Sequence, residues 1–255
     1  MNFLTAFHTD IGIKKKTNQD SLLIHQAQTD AGNVLLAVIC DGMGGLAKGE
    51  VASACMIRAF SDWFRLEFPG MLSAGLQPEA LRASWEKLVN GVDQKIVNYS
   101  IENNVSMGTT CVALLLVENT YFIMNIGDSR IYLISDNIYQ MTKDQTYVQR
   151  EMDAGRMTYE ESLRDPQRNV LLQCIGASPS IEPDFFMGDL QVNQCYMLCC
   201  DGFRHVINPQ EFFQFLNPNV ANDPAIMQQN LVYLTELNKQ RNETDNITAA
   251  LIRTY

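Results

Sequence analysis

Four aspartates stand where apolar runs end: Asp41 after NVLLAVIC, Asp128 after TYFIMNIG, Asp201 after QCYMLCC, and Asp245 just before NITAALIRT; the first three each adjoin a glycine. A carboxylate is costly to desolvate, so four of them brought to one place call for cations. Oxygen-only donors favour hard divalent ions, Mg²⁺, Mn²⁺ or Ca²⁺, over zinc. Small neighbours such as Gly42 leave a backbone carbonyl or a water free to reach such an ion. Each Asp-Gly taken singly is an ordinary turn opener. The recurrence at strand ends is what points to a metal centre.

Two other readings of the same stretch compete. Gly42-Met43-Gly44-Gly45-Leu46-Ala47 fits G-x-G-x-x-A, and Asp62 follows 20 residues after Gly42, as in a dinucleotide fingerprint. That acid should end the next strand, yet Asp62 sits in a helical pattern beside Trp63, and Asp41 would set negative charge against a pyrophosphate. A Walker loop fails because the order is Lys48-Gly49 and no Ser or Thr follows the lysine. The seven cysteines, most inside apolar runs and without a CxxC, read as reduced, packed thiols, and CYMLCC as a buried strand.

The strands that must carry these aspartates are legible as short runs rich in apolar and β-branched residues: 33–40, 109–117, 120–126, 130–135, 194–200 and 246–254. Helices are expected over 48–68 (Ala52, Cys55, Met56, Ala59, Trp63), over 78–101 (Leu81, Trp85, Leu88, Val92, Ile96, Tyr99) and near 224–238. Strands joined by tight connections, with helices grouped apart, indicate an α+β fold with mainly antiparallel sheet. At 255 residues and 46% apolar, one domain with a sizeable core is expected. The net charge of −10 argues against nucleic acid or an anionic membrane as partner. No stretch reaches the roughly 20 apolar residues that span a bilayer, and MNFLTAFHTD lacks the features of a secretory signal, so a cytoplasmic location is expected.

The ordered set TDIGIKKKTNQDSLLI, CDGMGGLAKGEVAS, MGTTCVALLL, NIGDSRIYLI, RNVLLQCIGAS, CCDGF and ETDNITAALI resembles the metal-dependent protein serine/threonine phosphatases of the protein phosphatase 2C type, in their compact bacterial form. The likeness runs from about residue 5 to residue 253. It implies a four-layer α-β-β-α sandwich with two central, mainly antiparallel sheets and a centre of two Mn²⁺ or Mg²⁺ ions. By position, Asp41 would bridge both ions and Gly42 would offer its carbonyl to the second. Asp201 and Asp245 would complete the first, and Asp20 would hold water on the metal. Asp128 matches the residue that, with Asp201, helps bind a third, weaker ion in bacterial relatives. A metal-bridged hydroxide would then attack phosphoserine or phosphothreonine directly, without a covalent intermediate. The implied partners are phosphorylated proteins and a cognate Ser/Thr kinase, with the chain a monomer. The alternative is a catalytically silent relative that binds phosphoproteins as a scaffold; retention of every implied metal carboxylate weighs against it.

The chain departs from the family pattern at several positions. Lys15 stands where an Arg usually grips the phosphate, and a point charge lacks the guanidinium fork. Its neighbours Lys14 and Lys16 read as solvated. Gln19 replaces a common Glu, and Leu46 and Gln145 stand where many bacterial relatives carry His. Leaving-group protonation would then fall to water or to His205, which reads more readily as a packed or surface histidine. Residues 144–170 correspond to a flap beside the site.

Overall fold

The run Val34–Cys40 is buried throughout, and its alternate residues face two different cores. Val34, Leu36, Val38 and Cys40 pack under helices, whereas Leu35, Ala37 and Ile39 pack against a second sheet. A strand covered on both faces needs no polar alternation, which is why the run is continuously apolar.

The computed structural model describes residues 1–43 and 48–255; Leu46 and most of the glycine cluster lie outside the described residues. The elements begin with β1 (Phe3–Asp10), β2 (Ser21–Thr29), β3 (Gly32–Cys40), β4 (Gly42–Met43), α1 (Gly49–Leu66), α2 (Phe68–Ser73) and α3 (Pro78–Asn103). Next come β5 (Gly108–Thr109), β6 (Cys111–Val117), β7 (Thr120–Ile126), β8 (Arg130–Ile134), β9 (Ile138–Gln140), α4 (Tyr147–Asp153) and α5 (Tyr159–Ser162). The chain continues through β10 (Asp184–Asp189), β11 (Cys195–Cys199), α6 (Asp201–Arg204), α7 (Pro209–Leu216), α8 (Pro224–Gln240) and β12 (Ile247–Thr254).

One sheet has the order β1-β12-β11-β8-β9 and the other β10-β7-β6-β3-β2, with antiparallel pairing throughout; β4 and β5 form a separate short pair. The sheets meet through Leu114, Leu116, Tyr196, Leu198 and Ile252. Helices α1 and α3 cover the second sheet, with Trp63 and Trp85 edge to face at 5.6 Å, while α7 and α8 cover the first through Phe212, Leu216, Leu231 and Leu234. This is the four-layer α+β sandwich anticipated above. Asp62 lies within α1, paired with Arg65, as its helical setting required. Among the described residues no helix is long and apolar enough to cross a membrane.

Five strands escape the apolar-run criterion: β1, β2, β4, β9 and β10. The two-residue β4 is too short to show a run, and the other four lie at sheet edges, where one flank and part of a face meet solvent, so their sequences mix polar with apolar residues.

Candidate metal centre

Asp41 leaves β3 with its backbone held on both sides. Its N–H donates to Thr110 Oγ1 (3.0 Å), and its carbonyl accepts from Thr109 Oγ1 (3.0 Å) and from the Thr110 N–H (2.9 Å). The next residue must be glycine. A Cβ on Gly42 would lie 2.3 Å from the Gly49 carbonyl oxygen and 2.4 Å from that of Gln19, and both obstacles are backbone. That close approach brings the segment carrying Asp20 against the end of β3.

From the other sheet, Asp201 follows β11 and Asp245 precedes β12. Asn246 ties the second of these to the loop before β2. Its side chain accepts from the Gln19 N–H (2.9 Å) and donates to the carbonyls of Ile11 (2.9 Å) and Thr17 (3.2 Å). Within that loop Lys15 Nζ meets Asp245 Oδ1 at 2.6 Å. Glu243 accepts from the Asp245 N–H (2.9 Å) and faces His205 Nδ1 at 3.3 Å, while His205 Nε2 lies 3.5 Å from Asp201 Oδ2.

The electrostatics of this cluster are those of carboxylates crowded out of water. Asp20 is pushed up to about 7, chiefly by burial and further by the charges of Asp201 and Asp245, against the pull of neighbouring Thr248 and Cys200. Asp41 is raised well above the ordinary carboxylate range, first by desolvation and then by Asp20, Asp201, Asp128 and Asp245. Lys15 moves up: desolvation opposes this, but its hydrogen bond to Asp245 and the charges of Asp245, Asp41 and Asp201 prevail. His205 also rises, burial being outweighed by Glu243 and Asp201.

Both carboxylate oxygens of Asp20 and Oδ1 of Asp201 are buried without a hydrogen-bond partner among the described residues. Unpartnered, mutually repelling oxygens of this kind suit a hard divalent cation. Asp20, Asp41 and Cys200 each offer an atom within 4.8 Å of the others. The Cys200 sulfur is already engaged, accepting from the Thr248 N–H (3.1 Å) and donating to the Asn246 carbonyl (3.5 Å), which leaves the oxygens as the free donors.

Lys15, Asp20, Asp41, Gly42, Asp201 and Asp245 are thus brought together, whereas Lys14 and Lys16 are exposed. Asp128, the residue expected to help hold a third ion, lies against a guanidinium. Arg204 Nη2 lies 3.2 Å from Asp128 Oδ2, because α6 turns its last residue back over the β7–β8 connection. Gln145 is a buried clasp, accepting from the Gly127 N–H (2.9 Å) and donating to Asp184 Oδ2 (2.9 Å). Gln19 Nε2 reaches Glu50 Oε2 at 3.4 Å. Sequence reasoning missed Arg204, Asp144, Arg130, Glu243 and Asn246; the one available signal was an Arg three residues beyond a strand-end Asp. Beside the centre a cavity of about 700 Å³ opens between Asp128, Arg204 and His205 on one wall and Val148, Met152 and Arg168 of the 144–170 segment on the other.

The family model for protein phosphatase 2C matches residues 13–234. A serine/threonine phosphatase, stp, of Listeria monocytogenes serotype 4b is 30% identical over 250 residues, covering 96% of this chain and 94% of that protein. The crystal structure of the serine/threonine phosphatase Stp1 from Staphylococcus aureus superposes with a TM-score of 0.85 at 29% identity, over 100% of this chain and 96% of that one. The catalytic domain of the serine/threonine protein phosphatase PstP, solved in complex with two manganese ions, gives 0.77 at 28% identity, over 98% and 97%.

Proposed function

The chain belongs to the protein phosphatase 2C family and is a serine/threonine protein phosphatase, and we propose how its residues divide the work. The observation that carries the reading is the set of unpartnered, buried carboxylate oxygens contributed by both sheets beside a lysine. Mn²⁺ or Mg²⁺, when bound, supplies Lewis-acid neutralisation of phosphoryl charge and makes water more acidic. In this reading Asp41, which feels all four other aspartates, would hold the ions together with Asp201 and Asp245, and the Gly42 carbonyl would add an oxygen ligand. Asp20 orients water from its buried position behind them.

Lys15 binds the phosphate dianion. Its ammonium pairs with Asp245 at the edge of the carboxylate cluster, half exposed and within reach of a bound dianion. Both ring nitrogens of His205 face carboxylates, so the histidine positions Asp201 and does not protonate the leaving oxygen. Residues 1–255 act as one catalytic domain, with 144–170 as the flap over the cavity. The substrates are phosphoproteins. A cognate Ser/Thr kinase, a monomeric state and a cytoplasmic location complete the proposal, and the net charge of −10 supports neither nucleic acid nor a membrane surface as partner.

The purified protein is expected to hydrolyse an aryl phosphate and phosphothreonine peptides with Mn²⁺ or Mg²⁺ and to lose that activity with a chelator. Activity that survives chelation would overturn the metal assignment. For Lys15→Ala the expected change is a rise in KM of about tenfold with a smaller effect on kcat, since a charged hydrogen bond to the dianion acts in ground and transition states alike. Lys14→Ala should leave KM unchanged. Equal effects of the two substitutions in steady-state kinetics would make Lys15 one member of a diffuse basic loop.

A further inference from the structure

Asp128 is a buried carboxylate close to Asp201, and such a group needs a positive partner. The chain supplies one itself. Arg204 Nη2 donates to the Asp128 carbonyl (2.9 Å) and to Asp128 Oδ2 (3.2 Å), and reaches Asp144 Oδ2 at 3.4 Å. Behind it the fork of Arg130 closes on Asp144 through two bonds of 2.7 Å, with Nη1 donating to the Tyr132 hydroxyl at 2.8 Å. Two carboxylates and two guanidiniums therefore alternate, and their charges cancel.

Arg204 is enclosed where it stands, with Nη2 making its contacts and Nε buried without a partner among the described residues. Only a tenth of its side chain is accessible, and a guanidinium keeps its proton at any physiological pH. A divalent ion on Asp128 would have to displace Nη2 or sit against it, with the second guanidinium close behind.

We infer that Arg204 is an internal substitute for a third cation: it neutralises Asp128 with a fixed charge, so this phosphatase binds two metal ions, not three. The inference rests on the reading of the neighbouring carboxylates as a two-ion centre. Arg204 is on this account a positioning residue that aligns Asp128, the flap base at Asp144 and the helix that begins at Asp201. Its charge is present in every molecule, whereas a weakly held ion would come and go with metal concentration.

The test is Mn²⁺ stoichiometry at millimolar free metal, measured by equilibrium dialysis and elemental analysis on wild type, Asp128→Asn, Arg204→Met and the double variant. Two ions are expected on wild type and on Asp128→Asn, three on Arg204→Met, and two again on the double variant. A third ion on wild type that Asp128→Asn removes would overturn the inference, as would only two ions on a folded Arg204→Met. If circular dichroism shows that Arg204→Met does not fold, wild type and Asp128→Asn decide the matter alone: two ions on each upholds the inference. Fewer than two ions on wild type would instead bring down the metal-centre assignment and the inference with it.

Discussion

Asp41→Asn is expected to lower kcat toward an aryl phosphate and a phosphothreonine peptide by about a thousandfold, equivalent to about 4 kcal/mol of lost transition-state stabilisation. The amide matches the carboxylate in size, and the residue's backbone is held by Thr109 and Thr110 whatever side chain it carries. The fold should therefore persist. What disappears is the negative charge that would face two cations, since a neutral amide offers a single weaker oxygen. The same substitution should make the metal-free protein more stable, because it takes one charge out of a cluster in which Asp20, Asp128, Asp201 and Asp245 all raise Asp41. Wild-type kcat in the variant would refute the bridging role. Loss of both turnover and thermal stability would point to a structural role.

Raising the pH from about 5 to about 8 should destabilise the chelated protein, and Mn²⁺ should reduce that loss. Asp20 and Asp128 are pushed up to about 7, each first by burial; Asp201 adds to both, while Arg204 opposes the shift at Asp128. Unfolded, their carboxyls return to the ordinary value near 4. Between those limits the folded chain binds more protons than the unfolded one, so stability is highest below the unfolded value and falls as pH rises through the folded one. His205, also raised, contributes with the same sign at the upper end of the window. Glu211 and Glu151, held down to about 2 by Arg241 and Arg156, change their contribution only below their ordinary value and do not mask the trend. Metal ligation takes the deprotonated form, so at about pH 8 an excess of Mn²⁺ over its Kd of about a hundredfold should raise Tm by roughly 5–10 °C. Calorimetry across that pH range, with chelator and with Mn²⁺, measures both slopes. Identical slopes would mean that the carboxylate cluster is not the metal site.

The parts of the molecule that could be read from the sequence share a physical cause. Strands buried on both faces, such as β3, β6 and β11, carry long apolar runs, and a carboxylate at the end of such a run is conspicuous because nothing before it is polar. Asp41 and Asp201 could be singled out for that reason, whereas Asp245 sits among the polar residues of NETDN and stood out only as the charge that opens β12. Edge strands offer no such contrast: SLLIHQAQT and FLTAFHTD hold half-buried polar residues that a loop could equally well hold. The charge network was hidden for a different reason. Arg204 lies 76 residues from Asp128 and 60 from Asp144, and only the packing of α6 on the β7–β8 connection brings them within hydrogen-bond reach. Spacing along the chain carries no trace of that meeting. Lys15 could be placed through its resemblance to a family position, but its bond to Asp245 depends on the loop that Asn246 folds against β12.

The interior position of β12 bears on the life history of the molecule. The strand lies between β1 and β11, so Phe3–Asp10 waits for Ile247–Thr254 before its backbone finds a partner, and Asp245 enters just ahead of that final strand. A nascent chain whose residues beyond 240 are still inside the ribosome has one sheet able to form and the other divided. It also lacks one of the carboxylates that join the two halves of the centre. Closing a loop of this span is slow compared with hairpin formation. A chain cut ahead of Asp245 would therefore lose the partner of β1 and one carboxylate of the centre together.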